Sequence, residues 1–168
     1  MVEVRSATPS DADGIRKVHL GAFETSLEAD LVARLERDGD AVISLVAIAQ
    51  GAIAGHILFS RMDVEANGRP LDALGLAPIA VLPECQRQGI GARLIKAGLE
   101  AARERGAGVV FVVGEPDYYA RFGFAAETAA PFDSPYAGEY FQAMALKVDL
   151  VAPASGRADY APAFAELE

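Results

Sequence analysis

A chain of 168 residues, 52% hydrophobic and 23% charged, carries enough apolar material for one ordinary domain and is not of disordered composition. Its formal net charge of −9 and pI near 4.7, with no dense run of Lys and Arg, argue against a nucleic-acid partner, because a phosphate backbone demands basic clusters. No run reaches the ~18 apolar residues that span a bilayer, and Met1–Arg5 lacks the basic and apolar regions of a signal peptide. With a lone Cys85 unable to form an internal disulfide, the expectation is a cytoplasmic protein with no membrane partner.

Residues 2–6 read as a short strand. Thr8-Pro9-Ser10-Asp11 then offers an N-cap hydroxyl, a proline at the first helical position and a carboxylate three residues on. The helix it opens carries Ala12, Ile15, His19 and Ala22 on one face. A second helix is expected after Thr25-Ser26, with Glu28 placed to complete a capping box, Leu27, Leu31 and Leu35 as its stripe, and Gly39 as its C-terminal cap. Ala41–Ala49 and Ala52–Val64 read as strands joined at Gln50-Gly51. Asn67-Gly68 is a hairpin signal, and the apolar run Leu71–Val81 beyond it is a strand covered on both faces, so these three strands form an antiparallel meander. Helix returns from Gly89 to Arg105, with Ile90, Leu94, Ala97 and Ala101 on one face, and Val109–Val113 follows as a buried strand reached by a parallel crossover. A helical turn near Tyr118–Arg121 and strands around Phe124 and over Phe141–Leu146 complete the order. The Ala- and Pro-rich residues 150–168 form a tail that Tyr160, Phe164 and Leu167 pin to the body.

The chemistry is concentrated in Ile79-Ala80-Val81-Leu82-Pro83-Glu84-Cys85-Gln86-Arg87-Gln88-Gly89-Ile90-Gly91-Ala92, a strand, a polar loop with two glycines and a helix start. A helix start is an anion site, since its first N–H groups lack partners and carry partial positive charge. Glycine at 89 and 91 removes the Cβ atoms that would hold a diphosphate off the backbone, and Arg87 and Arg93 add cationic donors. A nucleoside triphosphate loop would need Gly-Lys-Ser/Thr, and no Lys follows either glycine. A dinucleotide fingerprint would need glycine at 94, which is Leu94. The bland alternative is a turn that merely precedes a helix.

Gln86-Arg87-Gln88-Gly89-Ile90-Gly91 resembles the Gln/Arg-x-x-Gly-x-Gly/Ala acetyl-CoA motif of the GNAT superfamily of N-acetyltransferases. Tyr118-Tyr119-Ala120-Arg121-Phe122-Gly123-Phe124 is similar to that superfamily's second signature, and Gly114–Tyr119 resembles its YhbS-like branch. The element order matches over residues 2–147. The resemblance implies an α+β fold in three layers (α/β/α), a mixed central sheet of about seven strands, and a splay between strands four and five. It implies residues 1–149 as the acetyltransferase domain, with 150–168 as a tail packed on it. The pantetheine arm of CoA would lie in the splay against Ile79, Ala80 and Val81, and the backbone of Arg87, Gln88, Gly89, Ile90, Gly91 and Ala92, with Gln86 opening the motif, would hold the pyrophosphate. Tyr119 matches the tyrosine that protonates the departing thiolate, and a strand-four N–H would polarise the acetyl carbonyl. Acetyl-CoA is then a cosubstrate, the acceptor is a small-molecule or protein amine, and a homodimer is allowed.

The sequence departs from the superfamily in lacking its common Asn between strand five and the short helix, and no motif fixes the general base among Glu84, Glu115 and His56. Tyr119 also reads as a packed aromatic, and His56 as a satisfied core histidine. His19 carries no signal, Cys85 reads as structural, and no His, Cys and Asp cluster has metal-ligand spacing, so no metal is expected. The competing class is an acyl-CoA-binding sensor with little turnover, against which Tyr119 speaks, because a binder needs no acid at the thiol.

Overall fold

The computed structural model describes residues 1–147, 153 and 155–167, and opens with β1 (Val2–Ser6) and a 3-10 turn. The Arg5 guanidinium, 2.8 Å from Asp11, and the Thr8 N–H at 2.7 Å hold the Asp11 carboxyl well below the ordinary range and fix the entry to α1 (Ala12–Ala22). In α2 (Leu27–Asp38) the expected capping box is not made. Ser26 Oγ donates instead to Asp30, one turn on, at 3.0 Å, and Thr25 Oγ1 takes the Leu27 N–H at 3.3 Å. Gly39, at φ 77°, ends the helix as expected.

β2 (Ala41–Ala49) and β3 (Ala52–Ala66) join through Gln50-Gly51, whose φ angles of 52° and 80° give a turn that follows the twist of the strands. The Asn67-Gly68 turn is also formed, at φ 51° and 79°, but the strand beyond it is divided. β4 (Arg69–Leu71) pairs with the end of β3, and β5 (Ala73–Val81) pairs with its first two thirds. A 3-10 turn, Pro83–Cys85, leads to α3 (Ile90–Glu104), and the crossover returns as β6 (Val109–Val113), parallel to β5. Then come α4 (Pro116–Ala120), α5 (Ala126–Ala129), β7 (Phe132–Asp133), β8 (Phe141–Ala145) and β9 (Gly156–Tyr160).

The principal sheet runs β1-β2-β3-β5-β6-β8, with β4, β7 and β9 attached at the far end of β3, so nine strands are present among the described residues where about seven were expected. The expected strand around Phe124 is only a bridge between Ala125 and Ala143, because α5 begins at once. The tail, expected without a strand, contributes β9, whose Gly156–Tyr160 pair antiparallel with Ala66–Met62. Arg157 anchors it by bonding Asp159, Glu65 and Asp63. Phe164 is buried with its ring centre 5.0 Å from that of Tyr160 and tilted at 52°, whereas the Leu167 side chain lies outside the described residues.

Helices cover both faces. α3 presses Ile90, Leu94, Ile95 and Leu99 against Ile57, Phe59, Leu74 and Leu76 of the sheet. It lies close because Gly98 has no Cβ; one built there would meet Phe59 Cε1 at 2.2 Å. On the other face α1 and α2 pack Ile15, Leu31, Val32 and Leu35 over Val46 and Leu58, and a third cluster joins Phe111, Phe132 and Phe141. Burying a side chain of this size stabilises by roughly 1.5–3 kcal/mol, so the layers are held chiefly by these stripes.

Candidate active site

β5 and β6 pair only from Ala73 with Val109 to Gly75 with Phe111. Past that point β5 bulges, its steps from Leu76 to Ile79 being set against those from Phe59 to Ile57 of β3, one residue fewer. Pro78, within the bulge, has no N–H to offer a ladder. The strands therefore fork, and Ile79, Ala80 and Val81 form the β5 side, opposite Ile57, His56 and Gly55 of β3.

At the end of β5 Gln86 donates from Nε2 to the Val81 carbonyl at 3.0 Å, which folds the loop back on the strand. Arg87 and Gly89 take left-handed backbone, φ 65° and 81°. That is free for glycine and costs Arg87 on the order of 1 kcal/mol. The first turn of α3 thereby faces a depression of about 290 Å³, lined by Gln86, Arg87, Gly89, Ile90, Gly91 and Ala92 together with Val81, Cys85, Tyr118 and Arg121. Six of the residues expected from the loop motif thus converge, and Gln88 does not line the depression. Arg93 turns elsewhere, donating to the Val2 carbonyl at 2.6 Å, so the guanidiniums lining this depression are those of Arg87 and Arg121. Arg121 lies 4.9 Å from the centre of the Tyr118 ring, a cation–π contact that aims both at the loop. Sequence reasoning gave neither a role, although their spacing on one short helix was a usable signal.

Tyr119 is buried, with its ring edge-on to Tyr118 at 5.1 Å and to Phe124 at 5.7 Å. The ring fits only because Gly114 lacks a Cβ, which would meet Tyr119 Cε2 at 2.5 Å. Burial, with Tyr118 adding to it, pushes the Tyr119 phenol up to about 12, so it is a neutral donor at any physiological pH.

A second phenol meets the fork from the other side. Tyr160 of β9 lies across Gly75, the last paired residue of β5, where a Cβ would stand 2.6 Å from its Cε1. Its hydroxyl is buried without a hydrogen-bond partner among the described residues, and burial together with the nearby Tyr136 and Tyr119 phenols holds it far above the ordinary range. Sequence reasoning gave Tyr160 a packing role only. The alternation of Arg157 and Asp159 with Ala158 and Tyr160 was the available sign of a strand, masked by the Ala and Pro around it.

Of the candidate bases, Glu84 and Glu115 are exposed on the loop and at the N-cap of α4. His56 is wholly buried, and its Nδ1 lies 2.8 Å from Nε2 of His19, which is wholly buried too. Its Nε2 lies 2.8 Å from Ser44 Oγ. Both histidines are engaged there, and Cys85 is half-buried and free in the depression. Among the described residues no group of three or more His, Cys, Asp or Glu could hold a metal ion, and no helix is long and apolar enough to cross a membrane.

A forked mixed sheet with an anion-binding helix start at the fork defines a CoA-dependent acyltransferase architecture. Residues 3–126 match the family model described as an acetyltransferase (GNAT) domain, and the chain belongs to the GNAT family of N-acetyltransferases. It is 48% identical to the uncharacterized N-acetyltransferase YjhQ of Escherichia coli over 118 residues, which span 68% of this chain and 65%, a little under two thirds, of that relative. It is 35% identical to the uncharacterized N-acetyltransferase YhbS of Escherichia coli over 94% of this chain and 95% of the relative. The crystal structure of Escherichia coli YhbS in complex with CoA superposes with a TM-score of 0.89 at 32% identity, covering 98% of this chain and 92% of that one. A GNAT family acetyltransferase from Brucella melitensis in complex with acetyl-CoA gives a TM-score of 0.80 at 33% identity, covering 98% of both chains.

Proposed function

We propose that this chain transfers the acetyl group of acetyl-CoA to a primary amine by direct attack, with both substrates bound together in the fork. The observation that carries the proposal is the convergence of the glycine-lined depression, the unpaired edge of β5 and the buried Tyr119 phenol. The solved relatives bound to CoA and acetyl-CoA support the same ligand here. The N–H groups from Arg87 to Ala92 would take the pyrophosphate, with Arg87 and Arg121 balancing its charge. Ile79, Ala80 and Val81 would hold the pantetheine arm, and a β5 N–H would polarise the thioester carbonyl. The amine nitrogen forms a bond to the carbonyl carbon, the carbon–sulfur bond breaks, and the sulfur leaves with a hydrogen bond from Tyr119. A phenol near 12 facing a thiol of ~8.5 makes complete proton transfer uphill by roughly 5 kcal/mol, so Tyr119 acts mainly as a donor to the forming thiolate. The free Cys85 fits a reducing compartment, and we place the reaction in the cytoplasm.

The test has two arms. A ligand at a hundredfold excess over its Kd stabilises the native state by about 2.7 kcal/mol, so millimolar acetyl-CoA should raise the melting temperature measurably. Tyr119→Phe keeps the ring and removes the donor; kcat on an amine acceptor should drop about 10²-fold or more while the acetyl-CoA Kd barely moves. No thermal shift with acetyl-CoA would sink the proposal, and an unchanged kcat would take the leaving-group role from Tyr119.

A further inference from the structure

A donor lying along the open stretch of β5 brings its acyl group toward the point where β5 and β6 come together. That stretch begins past Gly75, the last residue paired with β6, and ends at Val81, which lines the depression. From Val81 down to Gly75 the strand covers roughly 20 Å, at about 3.3 Å per residue. The pantetheine arm has about a dozen bonds from phosphate oxygen to sulfur and spans about 14 Å, at ~1.2 Å per bond of extended chain. A donor with its pyrophosphate at the Val81 end therefore carries its sulfur to the level of Ala77, with roughly 6 Å left before Gly75. An acetyl group takes about 2.5 Å of that length, and a hexanoyl group, at about 7 Å, overruns it.

The fork is closed at Gly75 on every side. In the plane of the sheet, Gly75 is paired with Phe111 of β6. On the α3 face Leu74, Leu76, Val110 and Val112 are buried in one cluster with Leu94 and Leu99 of α3. On the opposite face the strands themselves carry little, since Gly75 has no side chain and its neighbour across the β3 ladder is Ser60. The tail fills that space. The Tyr160 ring lies over Gly75, where a Cβ would stand 2.6 Å from its Cε1 and 2.9 Å from its Cδ1, with Met62 Sδ at 3.1 Å. Phe111 beside it has no room to give way, being stacked on Phe141 at 5.3 Å and edge-on to Phe132 at 5.1 Å. Tyr160 is backed in turn by Tyr136, edge-on at 5.3 Å, and by Phe164 at 5.0 Å. Its hydroxyl has no hydrogen-bond partner among the described residues, so its contribution at this point is the volume of the ring.

We propose that the Tyr160 ring, seated on Gly75 at the closed end of the fork, is a stop that limits the donor to short acyl groups, acetyl through butyryl. The inference rests on the acetyl-transfer function proposed above. An acetyl group ends short of the ring. A hexanoyl chain has to displace the ring or pull the arm out of step with β5, and a close-packed wall resists both. The stop is held by a strand and not by a loop. β9 pairs with the far end of β3, and Arg157 fastens it there through Asp63, Glu65 and Asp159. Gly75 is as much a part of the device as Tyr160, because any side chain at that position would push the ring off the strand.

The test is calorimetric binding of acetyl-, propionyl-, butyryl- and hexanoyl-CoA to the wild type and to Tyr160 variants, which needs no acceptor amine. The quantity read is the ratio of the hexanoyl-CoA Kd to the acetyl-CoA Kd, from which a general loosening of the fold cancels. In the wild type that ratio should be about tenfold or more, the discrimination a filled apolar pocket gives. Tyr160→Phe keeps the ring and should keep the ratio. Tyr160→Ala removes the ring, and the ratio should fall to about one or below, because the vacated space then welcomes the added methylenes. If Tyr160→Ala does not fold, Tyr160→Leu keeps a buried apolar side chain in β9 and should still lower the ratio. A wild-type ratio near one overturns the stop, and so does a ratio that the folded ring-less variant leaves unchanged. Loss of the ratio in Tyr160→Phe would assign the selection to the hydroxyl and overturn it as well. Binding of none of the four donors by the wild type counts against the acetyl-transfer function itself, and the stop falls with it.

Discussion

The two faces of the β5–β6 fork are built from different materials. On the α3 face the depression is lined by one short loop, in which Arg87 and Gly89 take left-handed backbone and Gly91 carries no side chain. On the α1 face the buried polar groups are side chains drawn from α1, β2, β3 and β9, with Tyr160 standing 85 residues along the chain from the Gly75 it covers. Backbone shaped for close approach leaves its mark in the sequence as glycines at fixed spacing. Buried polar side chains leave no such mark, since each is an ordinary core residue until the fold brings it to its partners.

The largest expected effect breaks the α3 face alone. Gly91→Glu should abolish the acetyl-CoA thermal shift by setting a carboxylate against the pyrophosphate, and Gly91→Ala separates ligand from fold. A Cβ at Gly91 meets Tyr118 Oη at 3.4 Å, an ordinary contact, so the free protein should gain up to about 1 kcal/mol from the better helix former. Its acetyl-CoA affinity should nonetheless fall, because that Cβ lies on the lining of the depression. Equal affinity for acetyl-CoA in Gly91→Ala would mean that the diphosphate does not approach this backbone.

The next effect belongs to the α1 face and is read in acid. The folded values of His19, about 4, and His56, about 3, lie below the ~6.5 of an unfolded chain. Between those limits the unfolded state binds more protons, so the contribution is fully present above about pH 6.5 and is lost as pH falls toward 4. Urea midpoints should drop by the equivalent of several kcal/mol from pH 7 to pH 4, and the slope should flatten when both histidines become Gln. The lowered carboxyl of Asp11 acts further down, below its own unfolded range, and does not obscure this window. Equal stability at pH 4.5 and 7 would show that the pair is not buried as a neutral unit.

How much of this was legible follows from the same contrast. The three-strand meander, the parallel crossover and the loop were readable because apolar runs, turn pairs such as Asn67-Gly68 and the two glycines are local signals. The division of the hairpin into β4 and β5 was not, since the break falls at Asp72, whose carbonyl takes the Gly108 N–H from a segment 36 residues along the chain. The capping box on Thr25 and Glu28 is not made because α2 starts with Ser26, one residue later, at its N-cap, which puts Glu28 two residues on and not three. His19 gave no sign at all: one histidine on a helical stripe is unremarkable until a second, 37 positions away, is found 2.8 Å from it.

Tyr160→Phe sharpens the account of the α1 face at a smaller scale. If its hydroxyl is unpaired in the free protein, removing it should raise stability by about 1 kcal/mol, since a buried unsatisfied hydroxyl costs that much or more. Lower stability in Tyr160→Phe would reveal a partner for the hydroxyl in the free protein, and the phenol would then be structural.

The smallest effect is expected at Cys85, which sits on the α3 face as a side chain among backbone groups. A cysteine nucleophile needs a thiolate, hence a base beside it, and both histidines of the chain are engaged with each other and Ser44. Direct attack requires acetyl-CoA and amine bound together, so initial-rate lines at varied amine should intersect; an acetylated cysteine would make them parallel. Cys85→Ala should retain most of kcat and lose no more than about 1 kcal/mol of stability, because the side chain is small and only half-buried. Its acetyl-CoA affinity should change little, since Cys85 is one of several residues lining the depression and the proposed binding groups are backbone N–H groups. An acetyl group trapped on Cys85 that then passes to an amine would replace direct attack with a double displacement.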